Sequence, residues 1–231
     1  MTFARNLLAP QREIHPFNVV KDFEEALAEY TGAPYAVAVN SCTAALLLAV
    51  AYHLTWEHRA RLGMPTVAQY VPRIEIPKRT YVGVPMSIIH AGGRPTFRDE
   101  DWRGAYRLDP LPVWDAARRM RRGMYTETSR CVTDAMVCVS FHWSKILGIE
   151  QGGAILCYDQ AAAAWLKRAR FDGRREGVAP ADDTFDMLGW HCYMSPEIAA
   201  AGLVRLARLP DWNEDLPNDP YPDLSTHEVF R

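Results

Sequence analysis

The sequence predicts an α/β fold of three layers, a mostly parallel sheet with helices on both faces. Two observations carry this. Strand-like and helix-like segments alternate along the chain, and the strand-like runs are short and apolar on both faces. Composition agrees: hydrophobic content is 48% and charged content 23%, ordinary for a globular chain of 231 residues.

Each element has a local reason. Asn18 is placed to cap a helix through 19–32, where Val19, Phe23, Leu27 and Tyr30 recur at helical spacing and Gly32 stops it. "PYAVAV" (34–39) is a short buried strand. The segment 40–63 starts with Ser41 as its N-cap and stops at Gly63, so it reads as one long, largely buried helix. "RIEIPKRTYVG" is a strand with its exit loop, and "PMSIIHAGG" is a short helix closed by Gly92 and Gly93. "RPTF" is a strand, and "LPVWDAA" is another that ends in an acid. "MVCVSF" and "GGAILCYD" are two more strands; "QAAAAWLKRARF" and "PEIAAAGLVRLARL" are helices. The organisation expected is a single large domain over 1–208 and a C-terminal tail or arm over 209–231, where Pro and Asp dominate.

Several function classes are disfavoured. The longest apolar run, "AALLLAVA", is far too short to span a bilayer. "MTFARNLLAP" lacks the apolar core and cleavage site of a signal peptide, so the expected address is cytoplasmic, or host cytoplasm for a viral gene. A net charge of −2 argues against generic coating of nucleic acid. The arginine runs at 117–123 and 168–177 are either solvated faces or a local site for phosphates. Five cysteines without Cys-x-x-Cys argue against a disulfide frame and a zinc site, and the seven histidines show no metal-ligand spacing, so no metal is expected.

Ligands of such sheets sit at the carboxyl ends of the strands. That rule gathers four loops on one rim: "NSCT", "KRTYVG", "DAAR" and "SFHWSK". The "NSCT" loop offers Ser41, Cys42 and Thr43 at a helix start, which favours an anion. Asp115 closes an apolar strand, where a carboxylate needs a cation. Lys145 supplies an amine, Ser140 a hydroxyl and Tyr81 a flat apolar face. Found singly, these have ordinary readings: Lys145 a solvated strand end, Asp115 a loop acid, Tyr81 a core filler. His142 reads as a packing histidine. One ligand asks for the whole set together, pyridoxal 5'-phosphate: an amine for its aldehyde, a carboxylate for its ring nitrogen, a stacking face and a helix start for its phosphate.

The blocks "FEEALAEYTGAPYAVAVNSCTAALLLAV", "IPKRTYVGVPMSIIHAGGRPTFRDED", "VWDAA", "SFHWSK…GGAIL" and "LGWHCYMSPEIAAAGLVRLARLPDWNE" occur in order along 18–214. In that order they resemble the DegT/StrS group of pyridoxal-phosphate enzymes, the sugar aminotransferases of fold type I. The resemblance implies a reduced fold type I large domain with the small C-terminal domain largely missing. It implies that Lys145 forms the internal Schiff base and then moves the Cα proton, and that Asp115 keeps the ring nitrogen protonated. Tyr81 would stack on the ring, and Ser41, Cys42, Thr43 and Ser140 would hold the phosphate. Arg118 stands where the family has Gln or His near the ring's phenolic oxygen. His191 stands at a position that reaches a neighbouring subunit's cofactor site.

This sequence departs from that pattern. Cys42 replaces a Gly, His191 and Tyr193 replace an Asn and an Arg, and a strand-helix unit before "LPVWDAA" is missing. The implied activity is transamination from an amino-acid donor to a keto-sugar-like or nucleotide-linked acceptor, whose diphosphate "RRMRR" could meet. The alternative is a decarboxylase of an amino acid tethered to a large carrier, such as hypermodified thymidine in phage DNA, the only reading that brings in nucleic acid. A second alternative is an inactive homologue. The resemblance also implies a homodimer or higher homo-oligomer with the site at the subunit interface.

Overall fold

Helix α1 (Asn18–Thr31) begins the regular structure of a computed structural model that describes residues 15–67 and 69–231. The "MTFARNLLAP" segment, with its expectation of no leader, lies outside the described residues. The spacing of Val20, Phe23, Leu27 and Tyr30 puts them on one buried face, and Gly32 ends the helix at φ 73°, a left-handed conformation that glycine adopts without strain. Asn18 is the first helical residue; Phe17 holds the cap position, without a side-chain bond.

Strand β1 (Tyr35–Val39) leads into α2 (Cys42–His53), which is apolar nearly all round and is buried accordingly. Ser41 caps it: Ala44 N–H donates to Ser41 Oγ at 3.1 Å. The single helix expected over 40–63 is two, because a second one, α3 (Trp56–Arg61), starts after Thr55. The Thr55 hydroxyl bonds the Tyr52 carbonyl at 3.0 Å and lies 2.7 Å from His58 Nδ1. Such local bonding competes with the helical ladder and breaks it here.

The remaining elements are β2 (Arg73–Pro77), α4 (Gly83–His90), β3 (Arg94–Arg98), β4 (Tyr106–Arg107), β5 (Val113–Asp115), α5 (Met124–Ser129), β6 (Met136–Ser140), β7 (Gly153–Cys157), α6 (Gln160–Ala169) and α7 (Pro196–Leu206). The two-residue β4 and the short α5 carry too little periodicity to be read from sequence.

The fold is α/β, but the sheet is mixed rather than mostly parallel. Its order is β1-β7-β6-β5-β4, with β2-β3 as a separate parallel pair. Only β5-β6 is parallel within the five strands. Two reversed strands cause this. β7 returns from β6 through the loop 141–152 without a helical crossover, and β4 folds back on β5 through a tight turn. β1, β5 and β6 still run the same way. An antiparallel bridge between Glu75 and Asp109, with N···O distances of 2.7 and 3.0 Å, aligns β2 with them. The ends of β1, β2, β5 and β6 therefore share one rim, together with the start of β7.

Alternation along the strands builds two cores. Val37, Val39, Met136, Cys138 and Ile155 face α2, α4 and α6, whereas Ala36, Ala38, Val137, Val139 and Leu156 face α1 and α7. That is the three-layer arrangement, helices over both faces of one sheet.

A buried ion pair pins β1 as it approaches the rim. Glu24 and Arg170 are 3% and 2% exposed. Ala38 N–H donates to Glu24 Oε1 at 2.9 Å, and Arg170 Nη1 donates to the same oxygen and to the Ala38 carbonyl. Lys167 Nζ lies 3.0 Å from Glu24 Oε2, and Glu176 accepts from Arg170 Nη2 at 2.8 Å. Removing one partner leaves a buried charge short of its main counter-ion. Arg170→Ala is expected to lower unfolding free energy by about 3 kcal/mol in urea titrations.

Candidate active site

Asp115 ends β5 on the rim and is 4% exposed. Ala117 N–H donates to its Oδ1 at 2.9 Å, and the Tyr106 hydroxyl donates to Oδ2 at 2.9 Å. The Tyr106 and Thr80 hydroxyls are themselves 2.6 Å apart. No cation bonds this carboxylate among the described residues. Burial holds its pKa above the ordinary carboxylate range, against the lowering pull of the Ala117 and Tyr106 bonds and of the charges on Lys145 and Arg118. A buried carboxylate supplied only with neutral donors is a receptor for a cation.

Lys145 stands across the same cleft, in the loop between β6 and β7. That loop is closed by Phe141 N–H to the Gly152 carbonyl (2.9 Å) and Ile149 N–H to the Phe141 carbonyl (3.0 Å). Lys145 Nζ has no hydrogen bond or ion pair among the described residues. Burial first, and then the charge of Arg118, pushes its pKa below that of an ordinary lysine, with Asp219 and Asp115 opposing. An amine so placed is deprotonated more readily and is a better nucleophile.

The start of α2 forms the far end of the cleft. Ser41, Cys42 and Thr43 lie there beside Ser140 at the end of β6. The start of β7 approaches closely: a Cβ on Gly153 would fall 2.6 Å from the Cys42 nitrogen. The lining is therefore backbone, hydroxyls and a thiol at a helix N-terminus, which suits an anion. Burial, then the charge of Asp115, holds the Cys42 thiol well above its usual pKa, so it is neutral. Tyr81 is half-exposed at the mouth, its ring packed against Gly83.

The structure thus gathers Ser41, Cys42, Thr43, Tyr81, Asp115, Arg118, Ser140 and Lys145 around one cleft of about 360 Å³. It does not bring in His191. That side chain is exposed, its Nδ1 is 2.8 Å from the Asp172 carboxylate, and an antiparallel bridge to Phe171 holds it away from the cleft of its own chain. His142 is not a packing histidine: it is exposed, lines the cleft and has its Nδ1 2.9 Å from Ser144 Oγ. The 117–123 arginines are all paired; Arg118 and Arg121 are buried, whereas Arg122 stays exposed to solvent. Arg119 and Arg121 pair with Asp215, Arg121 also with Glu127, Arg122 with Asp211 and Arg118 with Asp219.

Sequence reasoning missed several lining or supporting residues, Thr80 among them. Tyr106 lies on the two-residue β4. Trp102 stacks edge-on against Tyr106 at 4.6 Å, and its Nε1 donates to the Arg79 carbonyl at 3.0 Å. Asp219 and Tyr221 come from the C-terminal segment. Their only signal was a surplus of acids and aromatics in a Pro-rich stretch, opposite in charge to the 117–123 arginines.

The family model of the DegT/DnrJ/EryC1/StrS aminotransferase family matches this chain over residues 4–123 and 115–216. The chain belongs to that family. It is 34% identical over 150 residues to spore coat polysaccharide biosynthesis protein SpsC of Bacillus subtilis, an alignment covering 63% of this chain and 32% of SpsC. It is 24% identical to GDP-perosamine synthase of Caulobacter vibrioides, covering 83% of this chain and 57% of that one. A sugar aminotransferase structure from Micromonospora echinospora superposes with a TM-score of 0.63 at 19% identity, over 89% of this chain and 64% of that chain, which establishes a shared fold. The chain spans a third to somewhat over half of the length of those two curated relatives.

Family membership implies pyridoxal 5'-phosphate as cofactor. The residues present fit it: a buried carboxylate in need of a cation, an unpaired amine across the cleft, and a helix start for an anion.

The Asp115 carboxyl also makes a stability prediction. Its folded pKa lies above its unfolded value, so the folded chain holds the proton more tightly, and stability from this group is lost as pH rises through the folded value. Without cofactor, Asp115→Asn is expected to be more stable than the parent at pH 7, and the gap should close as pH falls towards about 4. Urea unfolding across that range reads the difference.

Proposed function

We propose that this chain is a pyridoxal-phosphate-dependent aminotransferase. It takes nitrogen from an amino-acid donor and delivers it to a keto-sugar-like or nucleotide-linked acceptor. The observation that carries the reading is the pairing of Asp115 and Lys145 across one cleft, with the start of α2 at its end. The family match and the relatives named for polysaccharide biosynthesis and GDP-perosamine synthesis support the sugar class.

Bound there, the cofactor supplies a sink for the electron pair of a broken Cα bond. The chain's residues divide the remaining work. Lys145 Nζ would hold the cofactor through its aldehyde and, when free, would serve as the base and then the acid that moves the donor's Cα proton. The Asp115 carboxylate, which Tyr106 and Thr80 hold in place, would keep the ring nitrogen protonated. Ser41, Cys42, Thr43 and Ser140 would hold the phosphate, and Tyr81 would supply a stacking face for the ring.

Two measurements judge this reading. Added pyridoxal 5'-phosphate is expected to give a visible absorbance band that Lys145→Ala abolishes, with turnover at least about a hundredfold lower in the variant. A colourless parent at saturating cofactor would point to an inactive homologue. Incubation with an amino donor is then expected to leave the cofactor in its amine form. Release of carbon dioxide with the cofactor unchanged would overturn transamination in favour of decarboxylation.

Exposed apolar side chains beyond the cleft, Trp143 (71%), Phe185 and Leu188 (92%), support assembly into a homodimer or larger symmetric oligomer. Light scattering at micromolar concentration should give at least twice the chain mass of 26.2 kDa. A cofactor-loaded monomer would contradict it.

A further inference from the structure

Arg118 is 5% exposed, and the partners of its guanidinium all come from the C-terminal segment. Nη1 donates to the Pro217 carbonyl. Nη2 donates to Asp219 Oδ2 and, at 3.0 Å, to the Tyr221 hydroxyl. The Tyr221 ring centre lies 5.6 Å from the guanidinium carbon. Nε is buried and has no partner among the described residues. Asp219, by contrast, has a side chain that is 62% exposed, and it meets Arg118 through one oxygen. A guanidinium is a planar fork that takes a carboxylate at two points. Here a buried fork is only partly filled, by a carboxylate reaching in from outside.

The segment bearing Asp219 is held at both ends and loosely between. Before it, Leu216 N–H donates to the Arg118 carbonyl at 2.9 Å and Asp215 pairs with Arg119 and Arg121. After it, Leu224 N–H donates to the Lys78 carbonyl at 2.9 Å. Between these anchors the ties to the body among the described residues are the Arg118 contacts, Asn218 Nδ2 to the Trp102 carbonyl and, next to the second anchor, Asp223 to Lys78 Nζ at 3.4 Å. The Asp219 charge also reaches Lys145, whose pKa it raises while Arg118 lowers it. An internal carboxylate therefore lines the same cleft as the two cations and is bonded to one of them, Arg118. An α-amino acid carries its carboxylate on the carbon that bears its amine. Arg118 and Lys145 line one cleft, so an amino acid whose nitrogen approaches Lys145 brings its carboxylate into the space that Arg118 borders.

Resting on the aminotransferase reading, we propose that Arg118 is the receptor for the α-carboxylate of the amino substrate, and that Asp219 occupies that receptor until the substrate's carboxylate displaces it. This gives Arg118 a different duty from the contact with the ring's phenolic oxygen expected from its position. It also makes residues 217–221 a strap that opens when substrate enters.

Glutarate, a carboxylate with no amine, separates the outcomes. It is titrated by calorimetry into the full chain, with and without pyridoxal 5'-phosphate. Asp219→Asn, which removes the internal competitor, should bind glutarate about tenfold more tightly than the parent, and Arg118→Gln about tenfold or more weakly. In the parent, saturating glutarate should speed amide hydrogen exchange over 217–221. Equal affinity in the parent and Asp219→Asn, or weaker binding by Asp219→Asn, overturns the proposal. Asp219 is exposed, so this variant decides the matter even if Arg118→Gln fails to fold. A parent without the visible cofactor band sinks the aminotransferase reading, while the glutarate comparison still judges Arg118. An intact band with glutarate affinity indifferent to position 219 sinks this assignment alone.

Discussion

A carboxylate buried at the end of β5, hydrogen-bonded to a backbone N–H and a phenol but to no cation among the described residues, is the constraint around which the site is arranged. Its desolvation is unfavourable, and no bonded charge among the described residues offsets it. The surrounding structure carries that cost through packing: Tyr106 and Thr80 are buried with it, and Trp102 closes over Tyr106. A protonated ring nitrogen entering the cleft would supply the missing counter-charge. Function and instability thus meet in one side chain, as expected where a site is preorganised for a ligand.

The reach of that carboxylate depends on strand direction. β7 runs against its neighbours, so its first residue, Gly153, pairs with both Val39 and Ser140, the last residues of β1 and β6. The bare Gly153 backbone comes against the start of α2, and the β6–β7 loop carries Lys145 over the same opening. A helical crossover there would have carried the chain away from the rim. The antiparallel return is therefore what puts the amine opposite the carboxylate.

Charge organises the other side of the cleft. The arginines at 118, 119, 121 and 122 meet the carboxylates of Glu127, Asp211, Asp215 and Asp219, and Arg121 lies 4.4 Å from the Trp212 ring centre. Asp215, its side chain 11% exposed and shared by two arginines, is a firm anchor, whereas Asp219 is held at the surface by one. Burial separates these two roles, because a pair withdrawn from water is less screened than an exposed one.

Local patterning by itself determined the layer architecture, most of the helices and strands, and the candidates Lys145, Asp115, Tyr81 and the Ser41–Thr43 helix start. Those are written in periodicity, caps and strand-end residues, all short-range features of the chain. Only the tertiary structure decided the directions of β4 and β7, the break at Thr55, the entry of Tyr106, Asp219 and Tyr221 into the cleft, and the position of His191 away from the cleft of its own chain. Strand direction depends on which partner offers hydrogen bonds across space. The acids at 211–219 are indistinguishable from a solvated tail until the arginines that attract them are seen beside them. Long-range pairing of that kind leaves no period in the sequence, which is why it became visible only once the chain was folded.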